Sequence, residues 1–289
     1  MESQNPYSAT LLIYCEDRPG IISAVTDFIH KHEGNIIYIE QYVDAEEKVF
    51  FMRVQWELEG FIISPDKIDT VFKESLAKKF NMTYYHHFSD ERLRMAIFVS
   101  KLPHCLYDIL SRCEFGEWPV DIPIIISNHE TLKPVAEKFN IEFRHFPINP
   151  ENKKGQEEKE IKLLKDLNID FIVLARYMQI LTDDFIHAFP EKIINIHHSF
   201  LPAFPGAKPY HSAHARGVKI IGATSHYVTA DLDEGPIIEQ DVVHVTHNDS
   251  IADLIRKGRD LEKIVLARAV LNHFQRKILV YKNRTVVFN

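Results

Sequence analysis

The first 90 residues alternate between apolar runs and segments with helical spacing of apolar positions. Four runs have the length and composition of strands: 9–15, 36–43, 49–58 and 82–87. Residues 21–29 and 64–80 repeat apolar side chains on one helix face. The order strand, helix, strand, strand, helix, strand predicts a four-stranded antiparallel sheet with two helices on one face, a ferredoxin-like α+β domain over residues 8–88.

Beyond residue 93 the pattern changes to alternating strands and helices. The predicted strands are 95–100, 122–127, 143–146, 171–175, 193–197, 220–227 and 237–245, and the predicted helices are 106–112, 132–139, 157–167, 183–189 and 251–275. A small hairpin is predicted at 278–281 and 285–288, around Lys282-Asn283-Arg284. This alternation predicts an α/β domain with a mainly parallel sheet over residues 93–289.

Composition narrows the classes of partner and compartment. The 289-residue chain has a net charge of -7, which argues against nucleic acid or an anionic membrane as the main partner. No apolar run approaches the roughly 18 residues of a membrane span, and the start carries no secretory signal. Three cysteines without a framework spacing are typical of reduced thiols. We therefore expect a cytoplasmic protein.

The stretch NIHHSFLPAFPG, residues 195–206, ends a predicted buried strand on polar side chains. Asn195 and His197 are two residues apart, so on an extended strand they point to the same side. An asparagine amide can stabilise negative charge on a carbonyl oxygen, and a histidine can move protons near neutral pH. We expect Pro202 and Pro205 to hold the following loop rigid. The alternative is a strand end whose polar groups only satisfy loop backbone.

A second polar stretch follows the predicted strand 220–227. VTADLDEGP, residues 228–236, has three carboxylates in four positions beside Gly and Pro. A carboxylate held near a histidine raises its basicity and fixes its tautomer. Spacing alone does not choose between Asp231 and Asp233, and it also allows an ordinary turn. His226, on the same strand, either lines the pocket or is a satisfied buried histidine.

These two stretches, in this order, resemble the active-site signature of the folate-dependent formyltransferase superfamily. The resemblance implies catalytic roles for Asn195, His197 and Asp233 around a formyl group. LARYMQIL, residues 174–181, is similar to the strand and loop that line the family's pterin pocket. The resemblance therefore implies a substrate-binding set composed of Met178, Gln179, Ile180, Leu181, Ala230 and Asp231.

Two departures from that family concern the formyl acceptor and the pterin. The ribonucleotide formyltransferases open their first strand into a glycine-rich loop that cradles the acceptor's phosphate on backbone N–H groups. The corresponding stretch here, residues 98–110, contains no glycine, so we expect no such phosphate pocket. Gln179 also stands where the transferases usually have an arginine. Pterin contacts are therefore expected to differ in detail.

The stretch DRPGIISAVTDFIHKHEGNI, residues 17–36, resembles the opening of an ACT domain, a module that often binds amino acids as effectors. The resemblance implies a regulatory site at the loop containing Asp17 and Gly20, with Asn35 after the helix. It also implies a homo-oligomer, a dimer or tetramer, because such domains commonly pair. The backbone N–H groups at the helix start could hold a carboxylate.

An ACT domain followed by a formyltransferase-type domain is similar to those members of the superfamily that hydrolyse 10-formyltetrahydrofolate. The expected products are formate and tetrahydrofolate, which balances one-carbon pools and supplies formate for purine biosynthesis. Two alternatives remain: transfer of the formyl group to an amine acceptor, and a non-catalytic sensor of folate or an amino acid. We expect no cofactor and no metal. The alternative is a metal site at His211 and His214, which are i and i+3 on a predicted helix.

Overall fold

A computed structural model describes residues 7–203 and 209–289 and divides the chain into two compact units. The first unit runs up to Glu91 and also contains Gln275–Leu279 and Val286–Asn289. The second comprises Arg92–Phe274 and Val280–Thr285. The division near residue 90 agrees with the sequence pattern. The last residues of the chain differ from the predicted range 93–289, because the base of the terminal hairpin packs with the first unit.

The first unit is a four-stranded antiparallel sheet of order β2-β3-β1-β4. Its strands are β1 (Ser8–Glu16), β2 (Ile36–Asp44), β3 (Val49–Glu57) and β4 (Thr83–Phe88). Its helices are α1 (Ile21–Lys31), α2 (Pro65–Phe72) and α3 (Lys78–Phe80), the last two joined by a π-helical turn over Lys73–Ala77. The predicted ferredoxin-like arrangement is confirmed.

Alternation along β1 explains why the helices cover one face of that sheet. Leu11 and Ile13 share a strand face and are fully buried. They belong to one apolar cluster with Val25 and Ile29, which α1 places on its own inner face. The apolar face of the strand, which repeats every two residues, and that of the helix, which repeats every 3.6 residues, therefore pack in a single core.

The second unit is built on a seven-stranded sheet of order β11-β10-β9-β8-β5-β6-β7. The strands are β5 (Arg94–Val99), β6 (Asp121–Ser127), β7 (Glu142–His145), β8 (Phe171–Leu174), β9 (Ile193–His197), β10 (Ile220–Tyr227) and β11 (Ile237–His244). Strands β5 to β9 pair in parallel, whereas β10 is antiparallel to both β9 and β11. The mainly parallel sheet is confirmed.

Six helices and a hairpin complete the described part of the chain. The helices are α4 (His104–Glu114), α5 (Lys133–Lys138), α6 (Lys153–Asp166), α7 (Asp183–Ala188), α8 (Pro209–Arg216) and α9 (Ile251–Phe274), with a short 3₁₀ turn over Glu130–Leu132. The hairpin is formed by β12 (Ile278–Tyr281) and β13 (Arg284–Val287). Across the described ranges, no helix has the length and hydropathy needed to cross a membrane.

Two helical glycines give opposite expectations for stability. A Cβ at Gly258 in α9 would lie 2.0 Å from the Tyr210 hydroxyl oxygen, whereas a Cβ at Gly155 in α6 meets nothing within 4 Å. Gly258→Ala should lower the free energy of unfolding by about 1–3 kcal/mol through overpacking. Gly155→Ala should raise it by about 0.5 kcal/mol, because alanine loses less backbone entropy in a helix.

Urea unfolding of both variants beside the wild type measures the difference. Equal midpoints for Gly258→Ala and the wild type would show that Tyr210 moves aside at little cost. The packing of α9 against α8 would then be looser than the structure indicates.

Candidate active site

Strand β9 places Asn195 and His197 on one face of the sheet. Ile193 and Ile194 are almost completely buried and anchor the strand in the core. The neighbouring strand β10 pairs with β9 so that His226 lies opposite Asn195. The Ser225 hydroxyl donates a hydrogen bond to the Asn195 carbonyl at 2.9 Å, which fixes the backbone at that point. The predicted shared face is therefore realised within a buried, hydrogen-bonded pair of strands.

The loop between β10 and β11 carries Asp233 in a tightly constrained position. Asp233 has φ 59°, in the left-handed region that non-glycine residues seldom adopt. At Gly235, a Cβ would lie 1.8 Å from the Tyr227 carbonyl oxygen, so only glycine permits this approach of the loop to β10. Backbone strain of this kind persists where the surroundings over-determine the conformation, commonly at functional sites.

His197 and Asp233 form the central contact of the site. His197 Nδ1 lies 3.3 Å from Asp233 Oδ2. Because a carboxylate only accepts, Nδ1 carries the proton, and the neutral ring then has its lone pair on Nε2. His197 Nε2 is buried and has no hydrogen-bond partner among the described residues. A basic nitrogen is thus left free on the side of the ring away from Asp233.

His226 lies beside the His197–Asp233 pair. The sequence allowed it either to line the pocket or to be a satisfied buried histidine. Its Nδ1 lies 2.9 Å from the Tyr227 carbonyl oxygen, which can only accept, so Nδ1 is the protonated nitrogen. Nε2 is 3.2 Å from Asn195 Nδ2 and accepts one of the two amide hydrogens. Among the described residues, no group accepts the other amide hydrogen of Asn195, which is therefore available to a ligand. His226 Nε2 also lies 3.7 Å from Asp233 Oδ1.

The hydrogen bond from His197 is the largest effect that holds the pKa of Asp233 well below its ordinary value, against burial, which raises that pKa. Asp233 is therefore ionised throughout the neutral range. Asp231, the other carboxylate that spacing allowed, is exposed, and its backbone carbonyl accepts from Thr229. The geometry thus distinguishes two aspartates that the sequence pattern alone did not.

The histidine next to His197 has a different character. Burial, followed by the positive charge of Arg176, lowers the pKa of His198 to about 4. Its imidazole is therefore neutral at working pH. Its ring lies 5.1 Å from that of His197, measured between centroids. A neutral ring at that distance places no permanent positive charge beside His197.

Glu262, a buried carboxylate on α9, contacts the first turn of α4. Glu262 accepts hydrogen bonds from His104 Nε2 and the Tyr210 hydroxyl, each at 2.8 Å, and Arg176 Nε is 3.5 Å away. Burial by itself raises the pKa of Glu262, but the bond from His104 and the charge of Arg176 bring it below its ordinary value. The first turn of α4 therefore faces a buried carboxylate whose charge is paired with that of Arg176.

The described residues contain one group of three potential metal ligands. His104, Cys105 and Glu262 offer ligand atoms within 4.8 Å of one another. Both oxygens of Glu262 already accept hydrogen bonds, and burial raises the pKa of the Cys105 thiol well above its ordinary value. Glu262 would have to give up a hydrogen bond to His104 or to Tyr210 before it could bind a metal ion. His211 and His214 are exposed and do not belong to this group.

The predicted pterin segment leaves the end of β8 as a loop with two exposed apolar side chains. Met178 is 56% exposed and Ile180 is 59% exposed, whereas Leu181 is buried in the core. The Met178 backbone N–H donates to the Ser100 hydroxyl at 3.0 Å, which ties the loop to the end of β5. Ala230 is also exposed. Exposed apolar groups on a tethered loop suit a flat aromatic ligand, and their binding role stays a prediction.

The predicted regulatory residues do not all lie together. A cavity of about 560 Å³ in the first unit is lined by Asp17 and Gly20, with Arg18, Ser23 and Gln41 also contributing. Asn35 is not among its lining residues. It follows the opposite end of α1, and its Nδ2 donates to Glu57 at 2.7 Å. Pro202 is exposed at the start of its loop, and Pro205 lies outside the described residues.

Two protein-family models match this chain, one in each of its two parts. Residues 93–270 match the formyl transferase family model, and residues 9–70 match the ACT domain model. The fold and the Asn-His-Asp site thus define an ACT-containing protein of the formyl transferase class.

Full-length similarity narrows that class. A formyltetrahydrofolate deformylase from Synechocystis is 57% identical over 97% of this chain and 98% of its own length. One from Bacillus subtilis is 47% identical over 99% of this chain and 95% of its own. The crystal structure of a Pseudomonas syringae deformylase superposes with TM-score 0.96 and 42% identity, covering 100% of this chain and 96% of that chain. The chain belongs to the formyltetrahydrofolate deformylase family.

A transferase structure matches over a smaller part of the chain. Glycinamide ribonucleotide transformylase 1 from Symbiobacterium toebii has TM-score 0.65 and 29% identity, covering 70% of this chain and 97% of that chain. The expected superfamily relationship is therefore confirmed.

Replacing Asp233 by asparagine tests the central contact. Asp233→Asn keeps the size of the side chain but removes the charge that orients His197, so kcat should fall by about 10²–10⁴-fold, the usual cost of a lost acid-base function. Glu234→Gln, at the exposed neighbouring position, is the control and should stay near wild type. Equal activities of Asp233→Asn and Glu234→Gln would make Asp231 the next candidate.

The two residues on β9 should lose activity in distinguishable ways. His197→Ala should reduce kcat on the scale of a lost proton-transfer group, about 10²–10⁴-fold. Asn195→Ala should reduce kcat by about 10²–10³-fold, as expected for an oxyanion donor, with KM nearly unchanged. Steady-state kinetics on both variants provide the measurement. A change in KM alone for Asn195→Ala would make Asn195 a binding residue.

Proposed function

We propose that this chain hydrolyses 10-formyltetrahydrofolate to formate and tetrahydrofolate, and that Asn195, His197 and Asp233 carry the reaction. The observation that supports this most is the His197–Asp233 pair at 3.3 Å with His197 Nε2 left unpartnered. The full-length likeness to deformylases points to the same substrate. The formate so released is available for purine biosynthesis.

Water is the acceptor in the proposed mechanism. His197 Nε2 accepts a proton from water as the water oxygen bonds to the formyl carbon. The free amide hydrogen of Asn195 stabilises the negative charge that develops on the formyl oxygen. Asp233, ionised at neutral pH, stabilises the protonated His197. His197 then returns the proton to N10 as the carbon–nitrogen bond breaks, which releases formic acid and tetrahydrofolate.

The pterin is proposed to bind against the loop after β8. Met178, Gln179 and Ile180 supply an apolar surface with one amide, and Ala230 and Asp231 lie in the loop that carries Asp233. Leu181 supports the loop from within the core. Binding pockets of this kind are mostly apolar with a few polar groups that set orientation.

Transfer to a phosphate-bearing amine is less well supported. The helix α4 follows β5 without a glycine in the connecting stretch, and the buried Glu262 carboxylate lies 2.8 Å from His104 in the first turn of α4. A connection without glycine does not let its backbone N–H groups cradle a phosphate in the way that a glycine-rich loop does. A sensor without catalysis would have no use for a paired His197 and Asp233 beside a free nitrogen.

Incubation with 10-formyltetrahydrofolate alone separates these functions. The deformylase should release formate without an added amine and should keep its rate after prolonged chelator treatment, because side chains supply the chemistry. No formate without an amine acceptor would indicate a transferase, and no turnover with any acceptor would indicate a sensor. Zinc at one equivalent per chain with chelator-sensitive turnover would contradict the proposed mechanism.

For the first unit we propose an amino-acid effector and a homo-oligomer, in a cytoplasmic enzyme. The cavity beside Asp17 and Gly20 has room for a small amino acid. Its carboxylate would bind backbone N–H groups at the start of α1, where the helix dipole is positive. The edge strand β2 exposes Ile37 and Ile39, a surface that a second copy could cover. Glycine and methionine, which are tied to one-carbon metabolism, are the first candidates.

Filling the cavity should abolish the response to the effector and spare catalysis. Gly20→Leu places a bulky side chain at φ 93° where no atom lies within 4 Å, and Gly60→Leu imposes a similar backbone strain at φ 80° outside the cavity lining. Formate release is titrated with amino acids in both variants and the wild type. We expect a response in the wild type and Gly60→Leu, and none in Gly20→Leu. A flat response in all three would make the domain a scaffold.

A further inference from the structure

The terminal hairpin contacts the loop that presents Asp233. Asn283 Nδ2, at the hairpin turn, donates to the carbonyl oxygen of Glu234 at 2.8 Å. The Thr285 hydroxyl donates to the carbonyl oxygen of Ile237 at 2.5 Å, where β11 begins. Both acceptors lie on the carboxyl side of Asp233, within the second unit. Together with the close approach of Gly235 to Tyr227, these bonds fix the short segment that follows Asp233.

The base of the same hairpin is held within the first unit. Arg53, a buried residue of β3, donates through Nε to the Arg276 carbonyl oxygen at 2.9 Å. The Asn289 backbone N–H donates to Glu40 Oε2 at 2.9 Å, and the Tyr38 hydroxyl donates to the Asn289 carbonyl oxygen at 2.5 Å. Within the first unit, side chains of β2 and β3 therefore hold the base of the hairpin.

Asp233 depends on such support because the geometry around it is unfavourable by itself. It sits at φ 59° in an exposed turn, and its carboxylate must stay within reach of His197 Nδ1. An exposed hydrogen bond contributes little to global stability. It can nevertheless matter for rate, because a displacement of 1 Å at a reacting group can cost about 10²-fold.

We infer that the terminal hairpin is a positioning element of the active site, and that Asn283 holds the backbone after Asp233 so that the carboxylate stays on His197. Asn283 touches no substrate; it acts through Asp233. The inference rests on the proposed role of Asp233 and adds a residue outside the formyl transferase match, which ends at residue 270.

Two substitutions at Asn283 isolate its donor group. Asn283→Ala removes the side-chain amide, and Asn283→Asp keeps the shape but offers only acceptors to the Glu234 carbonyl. Both should lower kcat by about 10-fold, a modest misplacement, with KM for the folate within about twofold and the thermal midpoint near wild type. Arg268→Gln is the control, since it removes an exposed bond to Asp241 elsewhere on β11. Its kcat should stay within about twofold of wild type.

A double substitution shows whether Asn283 acts through Asp233. In the Asp233→Asn background, Asn283→Ala should lower the residual rate no further, because residues that act as a unit are not additive. A further 10-fold loss in that background would contradict the inference, as would wild-type kcat in both single variants. Wild-type kcat in Asp233→Asn alone would contradict the proposed role of Asp233, whereas a loss in Asp233→Asn with wild-type kcat in both Asn283 variants would contradict only the role of the hairpin.

Discussion

The contact between His197 and Asp233 is the interaction on which the rest of the site depends. It joins the end of a buried strand to an exposed loop, and each partner is constrained by its own surroundings. The apolar residues before Asn195 fix β9 in the core, and Gly235 lets the loop approach the Tyr227 backbone. Without both constraints, a carboxylate in an exposed turn would be solvated by water. The buried strand supplies rigidity, and the loop supplies charge.

The hydrogen-bond partners of His226 and His197 determine which ring nitrogen of each histidine carries the proton. Because the Tyr227 carbonyl requires a donor, His226 Nδ1 keeps its hydrogen, and Nε2 accepts from Asn195. In the same way, the Asp233 carboxylate can only accept, so His197 Nδ1 keeps its hydrogen. Two neighbouring histidines thus have opposite uses for Nε2: in His226 it holds the asparagine amide, and in His197 it remains free for a proton. Ring tautomers here follow from backbone and carboxylate acceptors alone.

Most of the fold could be predicted from hydrophobic periodicity, and β9 and β10, which both begin on a pair of isoleucines, are examples. Their bounds, Ile193–His197 and Ile220–Tyr227, are the same in sequence and structure. The packing of the terminal hairpin base with the first unit could not be predicted, since it depends on tertiary bonds to Arg53 and Glu40. Periodicity describes which face of an element is buried and not which unit buries it.

The candidate site, like the fold, could be predicted from the sequence only in part. That Asn195 and His197 share a face follows from strand geometry, whereas the choice of Asp233 over Asp231 came from family resemblance and needed the folded loop to be explained. Asn35 was grouped with Asp17 and Gly20 by its position after α1, yet the helix length carries it to the other end. The roles of His226 and Asn283 had no sequence signal strong enough to separate them from ordinary polar residues.

The full-length similarity to formyltetrahydrofolate deformylases makes water the expected acceptor of the formyl group. The most direct measurement is turnover of 10-formyltetrahydrofolate in ¹⁸O-enriched water, with mass spectrometry of the product. The account predicts formate carrying one solvent oxygen, formed at the same rate as tetrahydrofolate. Tetrahydrofolate formed without labelled formate, or only when an amine is added, would contradict it.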